Sequence, residues 1–404
     1  MKIPFSPPFI DEDVINEVVD ALKSGWITTG PKVKALEDEI AKFSGAKSVL
    51  CVNSWTSGAI MMLTWLGVKE GDEVIIPAYT YAATALAVIH AGAKPVMVDI
   101  NDDFNISIAE IAKSITSKTK AIIPVDIAGW PCDYKQIMDL VSSEDILEKF
   151  TPTSYAQKKL GRILVLNDAA HSLGARYFDK NIGTECDVTI FSLHAVKNVT
   201  TAEGGAICLN MPAVFDNAEL YSELRRMTLN CQTKDAFSKS KAGGWRYDIV
   251  GLGMKINLAD VNAAIGLAQI RKYDTLLSQR KEVAARYCKA FSKYDWAVIP
   301  PQISDAKESS CHIFPLRIKH ATEEQRDNIV QRISEADVAV NVHFIPLPML
   351  SYFKELGYEI KDFPQSFKNY SAEISLPIYP QLTNEQIDYI VSTVVNAYNS
   401  EKII

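Results

Sequence analysis

The sequence predicts an α/β fold in which a mostly parallel sheet lies between helices, followed by a smaller α/β domain. Three observations carry that expectation. Short runs rich in Val, Ile and Leu alternate with amphipathic helical runs over the first part of the chain. Those runs are apolar throughout, as strands covered on both faces are. From about Asn257 the texture changes to longer helices, and 404 residues suffice for two domains. We therefore expect a large domain over residues 1–256 and a small one over 257–404.

Taken in order, Asp11 to Ser24 puts Val14, Ile15, Val18, Val19 and Leu22 on one helical face, with Gly25 as the stop. The turn from Trp26 to Pro31, which contains Thr29, leads into a helix from Lys32 to Ser44. Strands are expected at Ser48–Val52, Glu73–Ile76, Pro95–Asp99, Ala121–Val125, Ile163–Asn167, Val188–Phe191 and Ala206–Leu209. Val74 to Ala93 lacks Asp, Glu, Lys and Arg and is about long enough to cross a bilayer. Pro77, Tyr79, Thr80, Thr84 and His90 interrupt it, so it divides better into a strand, a turn and a buried helix, Thr80–Ala91. Ser142 to Lys159 is polar, breaks at Thr151-Pro152, and reads as a surface insertion with its own helical turn. Beyond Asn257 the pattern gives helices Leu258–Leu276 and Leu277–Phe291, strands near His312–Ile318 and Val338–Asn341, and a last amphipathic helix, Asn384–Asn399.

Hydrophobic content of 48% and charged content of 23%, with no low-complexity block, describe a soluble globular protein. A net charge of −7 without a basic stripe argues against nucleic acid as a partner. The seven cysteines are odd in number, scattered, and form no CxxC pair. They read as reduced thiols, and MKIPFSPPFIDED lacks the apolar centre of a signal peptide, so a cytoplasmic location and no membrane are expected.

In such sheets ligands collect beyond the carboxyl ends of the strands. Three ends carry unusual residues. Asn53-Ser54-Trp55-Thr56-Ser57-Gly58 passes from a strand into a helix, and the amides there, beside hydroxyls, suit a phosphate. Ser and Thr are also the commonest caps, which is the plainer explanation. Asp168 ends a branched apolar run, so its carboxylate needs a cationic partner, for which a pyridinium nitrogen would serve. His171 follows it, either as a ligand contact or as a satisfied core histidine. In the third, Ser192 and Lys197 lie in a polar turn leaving a buried strand. Alone, Lys197 would be an ordinary surface lysine; if buried, its amine becomes neutral more readily and can form a Schiff base. With Tyr81 as a stacking face, these supply four parts of a pyridoxal phosphate site: amine, ring-nitrogen partner, phosphate cup and ring support.

At this point the chain resembles a known family, the fold-type I pyridoxal phosphate-dependent sugar aminotransferases of the DegT/DnrJ/EryC1/StrS group. The similarity spans nearly the whole chain. It is carried by SGWITTGPKVKALE, GDEVIIPAYTYAAT, AGAKPVMVDI, DAAHSLGA, FSLHAVKNVTTAEGGAI, YDIVGLGMKINLADVNAAIGLAQI and SLPIYPQLT, in that order. The resemblance implies that Lys197 carries the cofactor and shuttles protons, and that Asp168 holds the ring nitrogen protonated. It implies that Tyr81 stacks on the ring, that Thr56, Ser57 and Ser192 hold the phosphate, and that His171 contacts the ring hydroxyl or phosphate. Thr29, Asn198 and His343 fall on the substrate side. Lys255 and Asn257 map to a loop that the family supplies from the second subunit of a homodimer with shared active sites.

The implied reaction moves an amino group, from L-glutamate, to a keto group of a nucleotide-linked deoxysugar destined for a glycan, lipopolysaccharide or antibiotic. This chain departs from the commoner pattern at Trp55, Lys255, Phe344 and Pro348, which bears on the sugar and nucleotide rather than on the chemistry. Two other readings use the same fold: a pyridoxal phosphate sugar dehydratase, and a non-catalytic ligand-binding regulator. In the first the family replaces the lysine by histidine, and the second is free to lose either charged residue. This chain retains Lys197 and Asp168. A dinucleotide oxidoreductase is disfavoured because Gly251-Leu252-Gly253 follows no strand and lacks a third glycine.

Overall fold

The computed structural model describes residues 1–234, 245–401 and 403. Its first part contains β1 (Ser48–Val52), β2 (Glu73–Pro77), β3 (Lys94–Val98), β4 (Thr119–Ile122), β5 (Leu164–Asp168), β6 (Arg176–Tyr177), β7 (Lys180–Asn181), β8 (Val188–Ser192) and β9 (Gly205–Leu209). Seven of these form one sheet in the order β1-β9-β8-β5-β4-β2-β3. The pairs β3–β2, β2–β4, β4–β5 and β5–β8 are parallel. Only β9 runs the other way, between β8 and β1.

Successive residues of each strand feed opposite faces, as a pleat requires. Val49, Cys51, Ile75, Ile122, Val165 and Cys208 enter one core, shared with helix Pro31–Ser44 and helix Asp260–Ile270. Leu50, Val52, Ile76, Leu164, Leu166, Ile190 and Ile207 enter the other, shared with helices Trp55–Leu66 and Ala82–His90. The fully apolar strands in the sequence reflect this cover on both faces.

Two polar contacts set the frame of the site. Helix Pro31–Ser44 begins at Gly30, which has no capping side chain. Asp260 replaces one from a distance, accepting the Gly30, Lys32 and Val33 amides at 2.8–3.0 Å. That carboxylate therefore fixes the Trp26–Pro31 turn against the start of the next long helix. The polar stretch over 142–159 folds as two short helices, Glu144–Lys149 and Tyr155–Leu160. Ser154 and Gln157 donate to the Leu66 carbonyl, at 2.6 and 3.2 Å, and so cover the end of helix Trp55–Leu66 remote from the cavity.

A third core gathers Val283, Tyr287, Phe291, Ile329 and Ile390 around β12 (Phe314–Ile318) and β13 (Glu373–Leu376), with β10 (Ala297–Val298) and β11 (Lys307–Glu308) nearby in sequence. β10, β12 and β13 form an antiparallel sheet, and β11 joins β6 and β7. Ile3 from the amino terminus also enters this core. The expected strand at Val338–Asn341 appears only as isolated bridges, Ile3 to Val338 and Asn341 to Ser375. The segment leaves the sheet edge to carry His343 and Phe344 to the cavity, so its pairing is not extended. The helix expected from Leu258 starts at Asp260 and ends at Ile270, and the last helix is Asn384–Asn399 as expected. All seven cysteines are free thiols. Among the described residues, no helix is long and apolar enough to cross a membrane.

Candidate active site

A cavity of about 510 Å³ opens beyond the carboxyl ends of β1, β2, β5 and β8. Lys197 is delivered by topology. β8 and β9 are antiparallel neighbours, so the chain must reverse between Ser192 and Gly205. The Leu193 amide bonds the Gly204 carbonyl at 2.9 Å and closes the loop, and the Lys197 amide bonds the His194 carbonyl at 2.9 Å inside it. The Lys197 side chain forms part of the cavity wall. Burial lowers its pKa to about 8, with the Asp168 carboxylate opposing that shift.

Asp168 is the last residue of β5 and is 4% exposed. The Thr84 hydroxyl donates to one carboxylate oxygen at 2.8 Å, and the Ala170 amide reaches the other at 3.3 Å. Since Thr84 spends its proton there, the Thr80 hydroxyl donates to Thr84, 2.9 Å away. Two neutral donors do not balance a buried charge, and burial pushes the Asp168 pKa up to about 7.

At the end of β1, Ser54 caps helix Trp55–Leu66 by accepting the Ser57 amide at 3.1 Å. The Trp55 and Thr56 amides in the first turn are left without intrahelical partners. Ser54, Thr56 and Ser192 line the cavity around them. This closeness requires Gly205: a Cβ there would lie 2.7–2.8 Å from the Ser54 carbonyl group and the Trp55 amide. At Gly204 a Cβ would strike the Thr201 hydroxyl at 2.1 Å. The two glycines of the Glu203-Gly204-Gly205 motif let β9 pass directly under the helix start.

Four histidines, His171, His194, His312 and His343, line the cavity, and burial drives the pKa of His171, His312 and His343 down, that of His343 to about 4. Bonds to His171 and His312 fix their protons. His171 accepts the Ala128 amide on Nδ1 at 3.2 Å, so its neutral ring carries hydrogen on Nε2. The Asn198 amide nitrogen donates to Tyr273 and to the Ser310 carbonyl, at 3.1 and 3.0 Å, which leaves its oxygen to accept from His312 Nδ1 at 3.0 Å. His343 Nδ1 lies 2.9 Å from the Ser375 hydroxyl. Phe344 stacks on His171 at 5.8 Å and lies 5.8 Å from Tyr81, which is 63% exposed at the rim.

Of the residues singled out in the sequence, Thr56, Tyr81, Asp168, His171, Ser192, Lys197 and His343 thus meet in one cavity. Ser57 does not line it; its hydroxyl bonds Asn53 at 2.6 Å within the capping turn. Asn198 lies behind the wall, holding His312. Thr29, Lys255 and Asn257 form a separate cluster, in which Asn257 donates to the Thr29 hydroxyl at 2.6 Å and accepts from Lys255. Phe5 and His312 also line the cavity and carried no signal in the sequence, whereas Ser54, Thr80, Thr84 and Phe344 lie within segments singled out there but were given no role.

The profile of the DegT/DnrJ/EryC1/StrS aminotransferase family matches residues 8–148 and 153–395. The chain belongs to this family. The putative sugar aminotransferase Spr1654 from Streptococcus pneumoniae, solved in its PMP form, superposes with a TM-score of 0.95 at 41% identity, over 99% of this chain and 100% of that one. It is also known in a PLP form, which matches at 40% identity and TM-score 0.94 over 99% of both chains. The spore coat polysaccharide biosynthesis protein SpsC of Bacillus subtilis is 34% identical across 97% of this chain and 96% of its own length. PseC of Helicobacter pylori, an aminotransferase involved in pseudoaminic acid biosynthesis, matches at 25% identity and TM-score 0.86, over 99% of this chain and 100% of its own. As a member of the DegT/DnrJ/EryC1/StrS family, the protein is a pyridoxal phosphate-dependent sugar aminotransferase of fold-type I.

The residues present fit that cofactor. The helix start offers free amides and hydroxyls to a phosphate, the buried Asp168 has no cationic hydrogen-bond donor among the described residues, and Lys197 has a depressed pKa.

Proposed function

We propose that the enzyme transfers an amino group from L-glutamate to a keto group of a nucleotide-linked deoxysugar, as a cytoplasmic homodimer, with the product entering a glycan or lipopolysaccharide. The observation that carries the reading is the meeting of Lys197 and Asp168 in one cavity beside a helix start rich in hydroxyls. The polysaccharide and pseudoaminic acid roles of the two named relatives support a sugar product of this kind. Bound pyridoxal phosphate supplies an electron sink and an amino-group carrier.

The chain's own groups then have distinct tasks. Asp168 pairs with the ring nitrogen and keeps a proton on it. Thr56 and Ser192, with Ser54 and the helix amides, hold the phosphate, and Ser57 supports them through the capping turn. Tyr81 covers the ring from the rim, and His171 offers Nε2–H to a ring or phosphate oxygen. Lys197 binds the cofactor and afterwards moves protons with its neutral amine. His343 meets the sugar, while Asn198 acts through His312. Thr29, Lys255 and Asn257 serve the cavity of the second copy, a reading supported by their place outside their own. We also propose that the domain division, expected between residues 256 and 257, falls within helix Tyr273–Phe291, since Leu277 joins a core of the large sheet and Val283 the third core.

The test is the visible absorption spectrum of the purified protein with added pyridoxal phosphate, before and after L-glutamate. A protein-bound band that glutamate bleaches is expected, and Lys197→Ala should lose both the band and turnover. A band that glutamate leaves unchanged would sink the donor. Wild-type turnover in Lys197→Ala would sink the role of the lysine.

A further inference from the structure

Behind the cavity wall lies a buried carboxyl group with no part in the scheme above. Glu373, in β13, is fully buried. One of its oxygens accepts the His343 amide at 3.0 Å, and the other accepts the Ser375 hydroxyl at 2.5 Å, which is how the chain of protons stands when Glu373 is the carboxylate. Ser375 in turn sits 2.9 Å from His343 Nδ1. The alternation of a strand explains the pair: residues two apart in β13 share a face, so Glu373 and Ser375 both look toward the segment that carries His343. That segment is pinned from the other side by Tyr79, whose hydroxyl donates to the His343 carbonyl at 2.7 Å, while Phe5 stacks on the imidazole at 5.4 Å. With Nδ1 turned to Ser375, the ring edge left for the cavity carries Nε2.

We propose that Glu373, Ser375 and His343 form a proton relay whose outer end, His343 Nε2, serves the oxygen of the sugar's keto group. The proposal rests on the reading of this cavity as the site of amino transfer. Amination of a keto carbon expels its oxygen as water, so a neighbouring group must lend that oxygen a proton and later take one back. A lone imidazole here would have to become charged between those events, and its burial opposes that. The relay avoids the charged ring. His343 gives its Nε2 proton to the substrate oxygen, Nδ1 takes the Ser375 hydroxyl proton, and Ser375 takes the Glu373 carboxyl proton. The reverse shift restores all three groups. Imidazole and hydroxyl stay neutral, and the only charge made or lost is on Glu373.

That residue is suited to both states. Burial pushes its pKa up to about 8, which supplies a proton near neutrality, while Arg326 and Arg317 favour the carboxylate once the proton has left. Arg326 is itself held in place, donating to the Glu373 and Tyr370 carbonyls at 2.9 and 2.6 Å. Glu373 and Ser375 are therefore positioning residues that act through His343.

The test uses the full-length holoenzyme and the variants Glu373→Gln, Ser375→Ala and Ser375→Thr. The first readout needs no turnover: nitrogen NMR of protein labelled in its six histidines. Wild-type His343 is expected to stay neutral with its proton exchanging between both ring nitrogens, whereas Glu373→Gln should freeze it in one tautomer. The second is single-turnover amination, expected to slow roughly 10- to 100-fold in Glu373→Gln and Ser375→Ala. The double variant should lose no more than either single one, Ser375→Thr should recover the rate, and the cofactor band should be unchanged throughout. An unaltered tautomer and unaltered rate in Glu373→Gln would overturn the relay, as would losses that simply add. If the wild-type protein itself aminates no keto sugar, the functional reading fails instead, and the tautomer result still decides the relay.

Discussion

Lys197 and Asp168 are two opposite charges in one cavity, and burial moves both toward neutrality. The Lys197 pKa falls to about 8, so at pH 7 roughly one amine in ten is neutral and at pH 9 roughly nine in ten. Only the neutral amine attacks a carbonyl, so the rate at which cofactor-free protein takes up pyridoxal phosphate should rise roughly tenfold between those pH values. Stopped-flow absorbance checks this, and a flat profile would remove Lys197 as the attacking group. For Asp168 the sign runs the other way in stability. Its folded pKa, about 7, exceeds the ordinary aspartate value of 3.8, so the native state holds a proton that the unfolded chain releases between them. The carboxyl therefore costs stability increasingly as pH rises through that window, with the full cost above it. Asp168→Asn should raise the melting temperature of the cofactor-free protein at pH 8 by a few degrees, while weakening cofactor retention and cutting turnover by orders of magnitude. A variant that melts lower without cofactor and keeps its activity would contradict both halves of this argument.

At the scale of elements, the site depends on β9 passing beneath the start of helix Trp55–Leu66. Gly205→Ala would drive a methyl group into the Ser54 carbonyl and the Trp55 amide, and backbone at such a contact has no flexible end to yield. We expect the helix start to shift, a stability loss of about 1–3 kcal/mol as in overpacked cores, and weaker cofactor binding. Paired thermal melts with and without pyridoxal phosphate measure the two effects, and an unchanged cofactor affinity would show that the phosphate cup does not need this approach. The same elements show what the sequence made legible. Ser48–Val52, the chemistry-bearing strand ends and Asn384–Asn399 were readable because each rests on local periodicity and caps. Ser54 and Ser57 were not distinguishable as lining and support, since both are hydroxyls in one capping turn. His312, Phe5 and the relay partner Glu373 were invisible for a different reason. The pairing of β12 with β13 brings His312 to the wall and Glu373 behind it, the Ile3–Val338 bridge brings Phe5, and no local pattern records which distant segment carries a residue there.

For the whole molecule, the separate cluster of Thr29, Lys255 and Asn257 is the telling feature. It is built as carefully as the cavity: the Thr29 hydroxyl accepts from Asn257 and itself donates to the Leu258 carbonyl at 2.5 Å, while Asp260 locks the adjoining turn. Yet none of the three lines the cavity of its own chain. The residues leading to them expose Tyr247, Ile249, Val250 and Leu252, apolar surface of the kind that a second copy would cover. If a twofold dimer places each cluster at its partner's cavity, Lys197→Ala and Asn257→Ala damage different components of each site. Each variant alone should then have little or no turnover. Co-expressed with distinct tags, half of the randomly formed dimers are mixed, and each mixed dimer has one site with both residues intact. The doubly tagged fraction should therefore show about half of the wild-type activity per dimer, and the unsorted mixture about a quarter. No recovery in the doubly tagged fraction would mean that Asn257 serves the cavity of its own chain, and the shared site would have to be abandoned.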